Sequence, residues 1–176
     1  MIRTTLMAVL SIALAACGQS SSTEQATPAQ SNAAPEATQT ASGDPCSLLA
    51  DPVATFGQPV TAQQARTPNG TNTCEWRAAD GRICGSVVVF GPGWNESLDV
   101  PRSYGGMVTS LGAFGSVQEV AELGEEARVV DGGMLGAQLA FRTNKTATLV
   151  GGSCGVGPGT NVALAEKVAR EIVHSL

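Results

Sequence analysis

An α+β fold is what the sequence predicts for residues 44–176: a mostly antiparallel sheet with N-terminal, middle and C-terminal helices packed on it. Three observations predict it. Strand-sized runs such as "CEWRA", "ICGSVVVF" and "MLGAQLAFR" follow one another across short turn signals. Two segments, "PRSYGGMVTSL" and residues 160–176, carry apolar residues at helical spacing instead. The stretch "DPCSLLADP" sets Asp-Pro twice at positions suited to starting helices.

Taken in order, Asp44 supplies a capping carboxylate and Pro45 takes the first helical position, where no N–H is needed. Asp51-Pro52 repeats the device for a second short helix, "VATF", stopped by Gly57. "QPVTAQQA" is a first strand. "CEWRA" and "ICGSVVVF" form a hairpin around Asp80-Gly81, a two-residue turn signal. In that register Cys74 and Cys84 point to opposite faces, with Cys74, Trp76 and Ile83 toward the core. After Pro101, Tyr104, Met107, Val108 and Leu111 mark a helix weakened by Gly105-Gly106. "SVQEV" and "ARVV" are short strands. "MLGAQLAFR" alternates, with Leu135, Ala137, Leu139 and Phe141 on one face, and returns through Asn144-Lys145 into "TATLVGGSC". The last helix takes Thr160 or Asn161 as cap and presents Val162, Ala165, Val168, Ala169, Ile172 and Leu176 along one stripe.

Ahead of this domain the chain has a different character. Arg3 and the apolar run "TTLMAVLSIALAA" have the form of an export signal over residues 1–16, too short to span a bilayer as a helix. The run ends in Leu14-Ala15-Ala16-Cys17, which resembles the bacterial lipobox, where cleavage precedes a cysteine carrying a thioether-linked diacylglyceryl group. Cys17 is therefore the expected lipid-attachment site. Several fatty acyl chains on one residue give stable anchoring where one holds only marginally. Gly18 rather than an acid follows, the pattern of lipoproteins sent to the outer of two membranes. Residues 18–43 are Ser, Thr, Ala, Gln and Pro without a large apolar residue, the composition of a disordered tether. Removing residues 1–16 takes away Arg3 and no acid, so the formal charge moves from −5 to −6. That balance argues against nucleic acid as a partner and against electrostatic attraction to anionic lipid.

With Cys17 assigned to lipid, Cys46, Cys74, Cys84 and Cys154 remain, and export makes disulfides the expected state. The hairpin register excludes Cys74–Cys84 and leaves two of the three pairings open. Zinc is disfavoured: there is no C-x-x-C pair, and His174 is the only histidine.

"DPCSLL" followed by "CEW", then "ELGEEA" and a C-terminal amphipathic helix, resembles a family of small bacterial lipoproteins of unknown function. The likeness covers most of residues 44–176. It implies that Cys46 pairs with Cys74, which leaves Cys84 with Cys154. It supplies no catalytic, cofactor or metal residue.

Candidate chemistry is sparse. "GGSCGVGPGTN" precedes the last helix but lacks the Gly-Lys-Ser/Thr of a phosphate loop. Glu119, Glu122, Glu125, Glu126 and Asp131 cluster without the spacing of a calcium loop. Trp94, in "GPGWNE", either presents an aromatic surface to a ligand or partner or folds back onto the sheet edge. The expectation is a non-enzymatic envelope lipoprotein without cofactor. It would be anchored through Cys17, on the periplasmic face of the outer membrane where there are two membranes, and bind an envelope protein or small ligand. The alternative is an envelope hydrolase that assembles a site from His174 and scattered Ser and Asp.

Overall fold

The computed structural model describes residues 43–68, 70–95, 99–155 and 159–176; the expected export signal, Cys17 and the expected tether up to residue 42 lie outside them. Seven strands form one sheet: β1 (Val60–Arg66), β2 (Asn72–Ala78), β3 (Ile83–Phe90), β4 (Gln118–Glu119), β5 (Glu126–Asp131), β6 (Ala137–Arg142) and β7 (Ala147–Gly152). Their order is β1-β2-β3-β7-β6-β5-β4, and every neighbouring pair is antiparallel. Three α-helices accompany them: α1 (Pro52–Phe56), α2 (Val100–Leu111) and α3 (Thr160–Val173). The fold is α+β, as the pattern predicts.

Both Asp-Pro pairs do what their chemistry requires. The Asp44 carboxylate accepts from the Cys46 N–H at 2.8 Å, although the segment it opens, Pro45–Leu48, is a 3₁₀ turn rather than an α-helix. Asp51 accepts from Ala54 N at 3.0 Å, and Gly57 closes α1 with φ of 67°. A third aspartate, Asp99, caps α2 through the Arg102 N–H.

Alternation divides the sheet into two apolar faces. One carries Cys74, Trp76, Val87, Val89, Val129, Leu139, Phe141 and Val150 beneath the α3 stripe of Ala165, Val168, Ala169 and Ile172, with Leu48 and Leu49 alongside. Close approach of α3 depends on Gly152, where a Cβ would meet Ala165 N at 2.9 Å. The other face is narrower: Val130, Ala140 and Ala147 lie under Tyr104, Met107 and Leu111 of α2. Helices thus cover both faces.

Four expectations are corrected. The hairpin closes through Ala78 N to Arg82 O (2.9 Å) rather than across a two-residue turn, and the register shifts between Trp76 and Arg77. That shift carries Ile83 past the end of the core, where it is 38% exposed; the Phe56 ring fills the space over Gly85 and lies 5.8 Å from the Trp76 ring. Leu135 does not join the Ala137–Leu139–Phe141 face. Gly133–Leu135 is a 3₁₀ turn ahead of β6, leaving Leu135 72% exposed. The cap of α3 is Gly159, with φ of 73°, because the Asn161 carboxamide oxygen accepts from Gly155 N instead.

Candidate functional site

Each cysteine of the folded domain is used in a bridge. Cys46 joins Cys74 and Cys84 joins Cys154, across sequence separations of 28 and 70 residues. This is the pairing that the lipoprotein resemblance implies. The first bridge pins the Asp44-capped turn to β2 beside Trp76. The second ties the start of β3 to the segment after β7, where Ser153 N also donates to Cys84 O at 3.0 Å. Neither bridge leaves a thiolate for chemistry.

Trp94 takes the folded-back position. It is half-buried against the larger core cluster, and Gly43 lies over its ring, held by a bond from Gly43 N to Gly93 O of 2.5 Å. The Asn95 side chain braces this loop, donating to Val89 O (2.8 Å) and Asn72 O (2.9 Å) and accepting from Asn72 N (2.6 Å). The indole is therefore a lid on the core more than a surface offered to a ligand.

His174 ends α3 and is exposed. It shares a hollow of about 480 Å³ with Ala163, Glu166, Lys167, Arg170 and Glu171. Most of these charges are occupied structurally. Lys167 Nζ donates to the carbonyls of Ala54 (2.9 Å) and Thr55 (3.0 Å), satisfying the end of α1. Glu171 accepts from the Thr55 hydroxyl at 2.5 Å, and Arg170 donates to the Ala121 and Glu122 carbonyls at 3.3 and 3.1 Å. The helix surface works as a clamp holding α1 on one side and the β4–β5 turn on the other. Among the described residues that line the hollow there is no serine.

Four of the five acids of the cluster, Glu119, Glu125, Glu126 and Asp131, have a partner. Arg142 bridges Glu125 and, at 3.4 Å, Glu126, whose hydrogen bond leads in raising the guanidinium pKa above its ordinary value. Arg128 lies 3.7 Å from Glu119, and the Asp131 carboxylate accepts from Gly133 N at 2.9 Å. Among the described residues no three His, Cys, Asp or Glu side chains gather as a metal-binding group.

One surface has no such internal explanation. Ile83, Phe114, Met134 and Leu135 are exposed large apolar residues, with Met134 fully in solvent. All four lie at the sheet end where β3 and β6 begin and β5 and β7 finish. Phe114 precedes Gly115, which lies against Val130 and Asp131; Met134 and Leu135 follow directly from β5. Gly136 lies against Gly152 and Ser153, and Ser153 in turn bonds the Ile83 carbonyl. Gly43 leaves the domain at the other end, beside the loop after β3. Eight residues of β3 separate the two ends by about 26 Å. Sequence alternation placed Leu135 in a strand face and so hid this surface. The legible signal was the doubled glycine of "DGGMLG", which breaks the period before Met134.

No family model, curated protein or solved structure matches this chain. Among the described residues, no helix is long and apolar enough to cross a membrane.

Proposed function

We propose that this chain is a lipid-anchored envelope protein whose α+β domain is a non-enzymatic interaction module. The observation that carries the reading is the apolar end formed by Ile83, Phe114, Met134 and Leu135. Solvent-exposed apolar groups gathered at one end of a domain favour burial against another protein. The turn that bears Met134 and Leu135 is braced by Gly132 N to Gly136 O at 2.8 Å, so its presentation is pre-organised.

Two further features support the compartment. The two disulfides fit an oxidising location, and Leu14-Ala15-Ala16-Cys17 supplies a route to the membrane. The resemblance to small bacterial lipoproteins points the same way. The described chain begins at Gly43, at the opposite end of the sheet from these apolar residues, which leaves them free to meet a partner bearing an apolar recess.

The test is site-specific photo-cross-linking in the native envelope, with the reactive side chain at Met134 and, as control, at exposed Thr109 on α2. The expected result is one discrete protein adduct at Met134, absent at Thr109 and lost when Phe114 and Leu135 become Ser. Equal adducts at both positions, or membrane retention and normal processing of a Cys17→Ser chain, would overturn the surface and the anchor respectively.

A further inference from the structure

The two edges of the sheet are built differently. At one, β4 has only two residues, flanked by the Glu119–Arg128 pair. Shortness and charge are ordinary means of keeping an edge from pairing. At the other, β1 runs seven residues, and Val60 to Ala65 include no charge and no proline. Thr61, Ala62, Gln63 and Gln64 are all exposed. Among the described residues, this edge lacks the usual protection.

The ladder on its inner side fixes which backbone groups are left over. Thr67 N donates to Thr71 O at 2.9 Å, and the Thr73 hydroxyl reaches the Ala65 carbonyl at 3.3 Å. Odd-numbered residues of β1 thus turn their N–H and C=O toward β2. By the two-residue alternation of an antiparallel strand, Val60, Ala62 and Gln64 turn theirs to the open side.

We propose that β1 pairs antiparallel with β1 of a second copy, about a two-fold axis at Gln63. That register overlaps all seven residues, setting Ala62 opposite Gln64 of the other copy and Val60 opposite Arg66. The open-side groups of Ala62 and Gln64 then meet their counterparts in hydrogen-bonded pairs, and Gln63 faces itself at a non-hydrogen-bonded position. Charge selects the occupant. The single cation, Arg66, comes against an apolar Val60, and the two arginines end about 20 Å apart, six residues along the ladder. An identical edge therefore meets no like charge. One strand pair contributes less than the ~1,200 Å² of a stable interface, so the dimer is reversible.

The experiment uses the full chain carrying Cys17→Ser, so that any introduced thiol is the only one outside the two disulfides. Sedimentation should show a dimer that grows with concentration. Under mild oxidation Gln63→Cys should give a disulfide-linked dimer, since opposed Cα atoms at such a position are about 4.5 Å apart. Thr61→Cys and Ala65→Cys should not cross-link singly but should do so when mixed. A double change, Ala62→Glu with Gln64→Glu, puts like charges in both cross-copy pairs and should weaken association about tenfold. Ala62→Glu with Gln64→Lys should restore it. The proposal is overturned by a monomer at every concentration, by equal cross-linking at all three cysteine positions, or by the Gln63→Cys thiol being captured by a different protein's chain.

Discussion

Tyr104 is the chain's one tyrosine, on the buried face of α2, and among the described residues its hydroxyl has no hydrogen-bond partner. Desolvation by burial holds its pKa above the ordinary value of 10.0. The sign of the pH effect follows. Below the unfolded-state value both states are protonated and the contribution is fully present. As pH rises past it, the unfolded chain ionises first and stability is lost until the folded-state value is passed. Tyr104→Phe should leave stability at neutral pH unchanged or raise it by about 1 kcal/mol, since only an unpaired hydroxyl is removed. Denaturant midpoints should then fall less steeply with alkalinity than in the parent. An identical alkaline slope in both proteins would assign the loss to other groups. At this scale the sequence was legible where one local rule governs, as at Asp44 and Asp51. It was not legible for Ile83, Leu135 and Trp94, whose positions depend on a register shift, a glycine turn and the return of Gly43 over a ring.

Of the two longer helices, α2 carries the weaker intrinsic propensity. Gly105 and Gly106 sit on its solvent side, where an added Cβ would meet nothing within 4 Å, and the Thr109 and Ser110 hydroxyls bond back to their carbonyls. Alanine at each position should stabilise the domain by roughly 0.5–1 kcal/mol, because glycine loses more backbone freedom on entering a helix. Thermal unfolding of the single and double variants reads this directly, and a lowered melting temperature would show that the bare backbone is itself needed for a contact. Element type was readable from periodicity for α2, α3, β2, β3 and β6, and extent for β3; β6 begins only at Ala137, because the glycines of "DGGMLG" turn the chain before it. The cap of α3 was not readable, because Asn161 serves a partner outside its own helix, Gly155.

For the whole molecule, fold class followed from the succession of elements, whereas sheet order did not. The pairing of β3 with β7 joins segments some sixty residues apart, and nothing local records it. The same holds for the apolar end, which exists only once β3, β5, β6 and β7 are aligned. The bridges test how the domain is held. Replacing Cys46 and Cys74 by Ser should cost about 3–4 kcal/mol for a loop of 28 residues in the chain-entropy picture. With Trp94 changed to Phe, a red-shifted Trp76 emission should report uncovering of its ring. Unchanged emission and stability would show that Leu48 and Leu49 alone hold the turn in place.

The position of Cys46, three residues from Gly43, also decides how the domain bears tension. A pull applied at the N-terminal side enters at Gly43, crosses the bridge at Cys46 and arrives at Cys74 in the second strand of the sheet. Residues 47–73, with α1 and β1 among them, form a slack loop outside the force path. While the bridge is intact they cannot be peeled away by stretching, and the load falls on strand shear in the interior of the sheet. Reduction should lengthen the chain by roughly 95 Å before that shear begins, from 28 residues at full extension. Single-molecule pulling with and without reductant measures that added length, and its absence would mean that the load reaches the sheet by another route.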